Sequence, residues 1–236
     1  MNNPLLSEND QPFNTVPFED IKSEHFLPAV KEGIKVAEQN IRLICENENA
    51  PTFENTIVAF ETCEETLDYV TTVFHHLFAS EADKDIRNLI NEINPLTTKL
   101  NNDIYLNTTL FKRIKSVYDN IDSNNYSKEE IRLISETYIS FARSGANLND
   151  KEKSRFREIS QELSTLSPKF SDNVLKATNK INHYWISDES MLDGIPENFV
   201  QMASELAKKE GREGEWCFTL DTNFFIILKF STNRNL

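Results

Sequence analysis

The sequence predicts a mainly α-helical protein with a small α+β appendage after residue 181. Apolar residues recur every three or four positions through the first two-thirds of the 236-residue chain, which places them on one helical face. The chain has only 5 glycines, so it can form few of the tight turns that a sheet-rich fold requires. Short runs of aromatic and β-branched residues, typical of strands, follow residue 181.

The first four apolar stripes predict helices that pack on one another, because each helix has one apolar face and a polar back. Short connections favour antiparallel neighbours, so we expect an antiparallel helical array. The stripes are Val30, Ile34, Ala37, Ile41 and Ile44; Phe60, Cys63, Leu67, Val70, Phe74 and Leu77; Ile86, Leu89, Ile93, Leu96 and Leu100; and Leu110, Ile114, Val117 and Ile121.

Two further helices complete the predicted array. Ser127 and Glu130 have the spacing of a capping box, and the helix that they begin is expected to end at SGANLND, residues 144–150. Its expected inward residues are Ile131, Ile134, Tyr138 and Phe141. The longest stripe follows, and it is expected to be internal core, although a coiled-coil seam is the alternative use. Its members are Phe156, Ile159, Leu163, Leu166, Phe170, Val174, Ala177 and Ile181. Proline is expected to bend two of the helices, at Pro95 and Pro168.

The segment 182–236 differs from the helical region 1–181 and is predicted to be a small α+β segment. INHYWIS and EWCFTLD are interpreted as strands, and PENFVQMASELAKKEG between them as a helix closed by Gly211. The apolar run NFFIILKF is followed only by STNRNL, which predicts a chain truncated before the element that would cover the run. We therefore expect self-association through residues 223–236.

Composition excludes several classes of function. With 38 acidic against 25 basic residues the formal charge is −13, so we expect no nucleic-acid partner. The N-terminus MNNPLLSENDQPF is unlike a signal peptide, and no apolar run reaches membrane-spanning length, so we expect no membrane partner. Three cysteines, Cys45, Cys63 and Cys217, indicate buried thiols in a reducing compartment rather than a disulfide framework. The predicted location is the cytoplasm.

The four histidines do not predict a metal site. His75 and His76 are adjacent, and neighbouring helix positions point about 100° apart, whereas two zinc ligands on one helix need HxxxH spacing. His25 is followed by Phe and His183 by Tyr, so the sequence contains no HExxH. A polar helix face is the interpretation that we favour.

From Leu43 to Asp83 the chain has acidic residues but no Lys or Arg. The acids could attract a cationic substrate or partner, but a solvated helix face is the commoner use of such a run. These acids are Glu46, Glu48, Glu54, Glu61, Glu64, Glu65, Asp68, Glu81 and Asp83. Ser144 and Gly145 lack the glycines of a nucleophile elbow, so they are interpreted as a helix end. We assign no catalytic and no metal-binding residue, and the substrate-binding residues stay unassigned.

Several stretches carry a resemblance to a known family. They are NPLL at 3–6, PFEDIKSEHFLPAVKEGI at 17–34, APTFENTIVAFE at 50–61, YLNTTLFKRIKSVY at 105–118, FARSGANLNDKEKSRFREISQELSTLS at 141–167, NVLKATN at 173–179 and STNRNL at 231–236. In order and over nearly the whole chain, they resemble the N-terminal region of the zinc metallopeptidase family of oligopeptidase A, bacterial peptidyl-dipeptidase (dipeptidyl carboxypeptidase) and thimet oligopeptidase.

The resemblance implies a mostly helical fold of two halves that face each other across a deep channel, a zinc cofactor in the full-length proteins, and short peptides as substrates. The family's HExxH helix, its downstream glutamate ligand and its transition-state residues lie beyond the end of this sequence. The resemblance therefore implies a channel wall that is inactive alone. Two alternatives stay open: a free-standing helical module that binds peptides or a protein, and a self-sufficient hydrolase with a non-metal site.

Overall fold

The structure, a computed structural model, describes residues 3–7, 11–80, 84–180, 183–219 and 228–233. It divides into two compact units, Met1–Pro168 and Lys169–Leu236. Most of the segment 223–236, for which we predict self-association, lies outside the described residues. The predicted domain limit at residues 181 and 182 also stays a prediction.

The first unit is helical, as the sequence predicts. A wide π-type turn, Phe53–Val58, leads into the shortest helix. The helices that begin in this unit are α1 Ser23–Glu46, α2 Ala59–Glu61, α3 Glu65–Ser80, α4 Lys84–Tyr105, α5 Thr108–Asp119, α6 Lys128–Arg143 and α7 Asp150–Lys180.

Helix α1 lies at the centre of the first unit, where it contacts α3, α4 and α5. Its predicted apolar stripe is buried, with Ile34 only partly covered. Gly33 lets α3 approach closely, since a Cβ built on this glycine would lie 3.0 Å from the Leu67 Cα atom. The buried residues of α1 are Phe26, Ala29, Val30, Gly33, Ala37, Ile41 and Ile44.

Aromatic rings join the helices of this core. Phe26 of α1 and Phe74 of α3 are fully buried, and their rings meet edge to face with centroids 5.3 Å apart. Phe141 of α6 packs in the same manner on Phe60 at 5.2 Å. Such pairs add to the free energy gained from burying the rings.

The predicted stripe from Phe60 to Leu77 is not one continuous helix. A turn at residues 62–64 separates α2 from α3. The amide of Asn40, on α1, donates to the Cys63 carbonyl oxygen at 3.0 Å. This tertiary hydrogen bond satisfies a carbonyl that an unbroken helix would use itself.

Helix α6 has the predicted cap. The Ser127 hydroxyl accepts from the Glu130 amide at 3.2 Å, and the Glu130 carboxylate accepts from the Ser127 amide at 2.7 Å. The helix ends at Arg143, and Gly145 follows with φ of +94°, which confirms the predicted helix end. The expected inward position of Ile131 is wrong, because this residue is exposed and Thr137 is buried on the inner face.

Helix α7 is continuous through Pro168, and its only buried residue is Lys153. The expectation that its stripe forms internal core is wrong for the described residues. The first unit holds residues 150–168 of this helix, and there the Gln161 amide reaches the Pro95 carbonyl oxygen at 3.5 Å. Large apolar side chains after Phe156 are exposed: Ile159, Leu163, Leu166, Phe170, Val174 and Leu175.

The second unit contains the two predicted strands and the helix between them. Strands β1, Tyr184–Ile186, and β2, Trp216–Phe218, pair antiparallel with Tyr184 opposite Phe218. Helix α8, Glu197–Lys209, covers the pair, and Gly211 follows it with φ of +79°. The small core is Ile186, Leu192, Ile195, Ala203 and Phe218. The predicted fold class, mainly α with an α+β appendage, is confirmed.

Candidate functional site

The two adjacent histidines of α3 are both exposed. The Nδ1 atom of His75 lies 2.7 Å from the Thr71 carbonyl oxygen, one turn earlier in the same helix. The His76 ring instead lies 6.1 Å from the Phe18 ring, between centroids. The two imidazoles therefore have different surroundings, as expected for neighbouring positions on a helix.

The other two histidines lie elsewhere. His25, in the first turn of α1, accepts a hydrogen bond at Nδ1 from the Lys22 amide at 3.0 Å. His183 lies in the second unit, with its ring centroid 5.7 Å from that of Trp185. Within the described ranges, no three His, Cys, Asp or Glu side chains form a group that could hold a metal ion.

A cavity in the first unit lies beside His76. We call it the Phe18 cavity; its volume is about 720 Å³. Phe26 is a buried apolar residue of its lining, and Lys22 and His76 are exposed polar residues of it. This volume is within the range of small-ligand pockets. The cavity is lined by Phe18, Ile21, Lys22, Ser23, Phe26, His76, Leu77, Ser80 and Ile86.

Sequence reasoning missed this cavity, because Phe18 and Ile21 precede α1 and belong to no helical stripe. The only signal was that two large apolar residues lie in a short segment before a helix cap. Such a segment packs across neighbouring helices, so its partners are set by the tertiary fold.

A smaller cavity of about 330 Å³ lies between the end of α1 and residues 55–63. Its lining is unusually rich in amides, with Asn40, Asn47 and Asn55, and Leu43 is exposed at 62% beside them. The neutral amides can each donate and accept hydrogen bonds. The remaining lining residues are Ile44, Ala59, Thr62 and Cys63.

Arg113 of α5 is buried and fixes the backbone beside this smaller cavity. Its guanidinium donates to the carbonyl oxygens of Asn47 at 2.7 Å and Asn49 at 3.2 Å, and to the Asn55 side-chain oxygen at 3.2 Å. Only the two terminal nitrogens of the guanidinium make these bonds, and the buried Nε atom has no hydrogen-bond partner among the described residues. We therefore interpret Arg113 as a structural residue that holds the segment after α1.

The acidic stretch is mostly a solvated surface. Glu81 and Asp83 lie outside the described residues, and the other acids are exposed except Glu64, which is half-buried. Burial, and secondarily the Asp68 carboxylate, raise the pKa of Glu64 above its usual value. Burial and the Glu64 charge raise the pKa of the Cys63 thiol to about 12, so this thiol stays protonated and unreactive at neutral pH.

Comparison with known protein families identifies the helical unit. Residues 27–153 match the family model described as neurolysin/thimet oligopeptidase, N-terminal domain. The chain belongs to the neurolysin/thimet oligopeptidase family. This match extends from α1 into the first turn of α7, so it lies within the first unit. The resemblance recognised in the sequence is thereby confirmed.

Individual members of the neurolysin/thimet oligopeptidase family are similar to almost the whole chain. The dipeptidyl carboxypeptidase of Escherichia coli K12 is 31% identical over 218 residues, which cover 92% of this chain and 32% of the relative. The oligopeptidase A of Haemophilus influenzae is 27% identical over 237 residues, which cover 100% of this chain and 34% of the relative. A probable cytosolic oligopeptidase A of Arabidopsis thaliana is 27% identical over 241 residues, which cover 99% of this chain and 34% of the relative.

The chain thus spans about a third of the length of these relatives. The aligned region includes both the matched first unit and the small α+β unit. No helix in the described part of the chain combines the length and the apolar character needed to cross a membrane.

Proposed function

We propose that this chain is the N-terminal part of a zinc peptidase of the dipeptidyl carboxypeptidase and oligopeptidase A kind, which degrades short peptides. In this role the chain forms a wall of the substrate channel and supplies no catalytic group. The observation that carries the proposal is the match of residues 27–153 to the N-terminal domain of a peptidase family. The names of the aligned relatives support peptides as the substrate class.

The residues of this chain do not fit a catalytic zinc. Such a site needs three protein ligands around one metal ion, and the family motif HExxH is absent from the sequence. His25, His75 and His183 lie on α1, on α3 and in the second unit, in unrelated surroundings. We therefore derive no catalytic step for this chain and propose that the zinc is held by other parts of the full-length peptidase.

Peptidase assays on the purified chain test this proposal. We expect no cleavage of short peptides with or without added zinc, because neither the metal ligands nor the general base are present. Zinc-dependent cleavage that survives repurification and is inhibited by a chelator would overturn the proposal.

The zinc content of a variant provides an independent check. Replacing His75 and His76 by alanine should leave the bound zinc, measured by elemental analysis, equal to that of the parent chain. A clear loss of zinc in this variant would reveal a metal site on α3 and contradict the assignment of the metal to the rest of the protein.

The second candidate is a free-standing helical module that binds a peptide or a protein. The Phe18 cavity favours it, because a lining that combines apolar side chains such as Phe26 with Lys22 and His76 suits an apolar side chain next to a carboxylate. Fluorescence polarisation with short labelled peptides tests this candidate. Phe18→Ala should weaken binding, and unchanged affinity would count against the cavity as a peptide site.

The coding DNA beyond the codon for Leu236 distinguishes the two candidates. A continuation that encodes HExxH, in frame or after a frameshift, supports the peptidase part. A stop followed by unrelated sequence supports the module.

We also propose a cytoplasmic location and no nucleic-acid partner. Cys45, Cys63 and Cys217 are free thiols, which suits a reducing compartment, and the net charge of −13 disfavours phosphate backbones. Fractionation of cells that express the tagged chain tests the location, and recovery outside the cytosolic fraction would contradict it.

A further inference from the structure

The strongest unexplained feature of the first unit is an exposed apolar face on α7. We call Ile159, Leu163 and Leu166 the α7 stripe; their exposed fractions are 42%, 53% and 47%. The spacing of four and three positions places them on one side of the helix. A single exposed leucine is ordinary, but three consecutive members of one stripe form a patch of the kind that marks interaction sites.

The beginning of α7 is firmly attached to the rest of the first unit. The Lys153 ammonium donates to the Leu106 carbonyl oxygen at 3.1 Å and to the Thr108 hydroxyl at 3.0 Å. One turn later, the Arg157 guanidinium pairs with the Asp103 carboxylate at 2.6 Å. These contacts fix the direction of α7, so the α7 stripe is held in a defined position rather than on a fraying end.

Helices with one apolar stripe and polar flanks pack against another helix or an apolar groove. The α7 stripe meets this description, because Glu162 and Thr165 between its members are exposed and polar. The binding element is therefore expected to be amphipathic, as in paired helices.

The lengths of the relatives indicate the partner. The Escherichia coli dipeptidyl carboxypeptidase aligns with 92% of this chain, and this aligned region is only 32% of the relative. The longer proteins thus join a counterpart of this region to about two-thirds more polypeptide. The net charge of −13 on each chain counts against a second copy as the partner of the α7 stripe, as it also does against the predicted association through residues 223–236.

We propose that the α7 stripe is a docking surface for an amphipathic helix from the remaining two-thirds of the full-length peptidase. This inference rests on the proposed function and adds the residues through which the two parts are held together. Docking buries Leu163 and Leu166. The α7 stripe then belongs to an apolar core shared by this N-terminal region and the rest of the full-length peptidase.

Co-expression tests the docking surface. The probe is the part of Escherichia coli dipeptidyl carboxypeptidase that lies outside its aligned region, produced together with this full chain and purified through a tag on the probe. We expect the chain to co-purify with the probe. Leu163→Glu should weaken the association roughly tenfold or more, because a carboxylate would be buried in an apolar contact.

Thr165→Glu is the matched control. It adds the same charge in the same turn of α7, but two positions from Leu163, which is about 200° around the helix. This variant should bind as the parent chain does. Circular dichroism of each variant alone should match the parent, since residues 163 and 165 are both exposed.

Three other outcomes would decide against the docking surface. Failure of the parent chain to co-purify, or equal binding by Leu163→Glu and Thr165→Glu, would overturn it. A dimer of the chain alone that Leu163→Glu dissociates would assign the stripe to a second copy instead. A complex that depends on the stripe but cleaves no peptide would leave the docking surface standing and count against the proposed function.

Discussion

Helices α1 and α7 have similar sequence patterns but opposite surroundings. Each carries a stripe of apolar residues at steps of three and four, over 24 residues in α1 and 31 in α7. Seven residues of α1 are buried, including Phe26, whereas Lys153 alone is buried in α7. The periodicity of a stripe therefore predicts a helix and its apolar face, but the partner of that face depends on elements elsewhere.

The largest difference between the two helices is expected when a side chain that packs on α1 is truncated. Phe74→Ala removes a fully buried ring that meets Phe26 edge to face, and it should lower the free energy of unfolding by about 3–5 kcal/mol. Leu163→Ala on α7 should lower it by less than about 1 kcal/mol, since this side chain is 53% exposed. Urea denaturation of both variants measures the two losses in the free energy of unfolding. Equal losses would contradict the proposed difference in packing between α1 and α7.

The next largest effect on stability is expected when the hydrogen bonds from Arg113 to the segment after α1 are removed. Arg113→Met removes four hydrogen bonds: to the carbonyl oxygens of Asn47 and Asn49, to the Asn55 side chain and to the Thr56 hydroxyl. We expect a loss of about 2–3 kcal/mol in the free energy of unfolding, because partly buried acceptors lose a charged donor. The control Arg132→Met changes an exposed arginine of α6. Denaturation curves that match for both variants would show that Arg113 does not hold this segment.

The close approach of α1 and α3 gives a smaller effect. In an open helix Gly→Ala is stabilising by about 1 kcal/mol, but at Gly33 a new Cβ would lie 3.0 Å from the Leu67 Cα atom. Overpacking costs about 1–3 kcal/mol, so Gly33→Ala should be destabilising by about 1 kcal/mol in thermal unfolding. Lys31→Ala, on the exposed face of α1, is the control. A stabilised Gly33→Ala chain would contradict the close contact.

The smallest effect concerns the half-buried Glu64 between α2 and α3. Burial raises its folded-state pKa above the usual 4.5, so its contribution to stability is complete below pH 4.5 and is lost as the pH rises through the folded-state value. Glu64→Gln avoids this loss and should unfold at higher urea concentration than the parent at pH 7. The difference should vanish below pH 4.5.

The exposed neighbour Glu65 provides the control for that titration. Glu65→Gln should change the free energy of unfolding by no more than about 0.5 kcal/mol. A Glu64→Gln chain that is less stable than the parent at pH 7 would show that this carboxylate makes a favourable contact in its charged form.

Local signals in the sequence predicted several elements, because their causes lie within a few residues. The Ser127 and Glu130 cap is an example, since both partners belong to one turn. The break before α3 was not predicted, and there the Cys63 carbonyl oxygen accepts a hydrogen bond from Asn40, which is 23 positions away in the sequence. The exposed stripe of α7 was assigned to the core for a related reason: a sequence pattern does not show which surface covers it.

In the candidate site, too, features with a local cause could be predicted from the sequence, whereas features that join distant segments could not. The different surroundings of His75 and His76 could be predicted, because helix geometry alone separates adjacent side chains. The Phe18 cavity and the role of Arg113 could not, because each joins segments that are far apart in the chain. Family resemblance supplied what the residues alone did not, namely the peptidase context of the helical unit.

The central claim is that neighbouring helices bury α1 but leave the apolar face of α7 exposed. Hydrogen–deuterium exchange of the purified chain, read by mass spectrometry, tests this claim most directly. Amides of well-packed helices exchange only through global unfolding, whereas sparsely packed helices open locally. Peptides from residues 26–44 should therefore exchange slowest in the chain, and peptides from residues 163–180 should exchange at least roughly a hundredfold faster. Equal protection of the two segments would contradict the exposed face of α7 and the docking surface inferred from it.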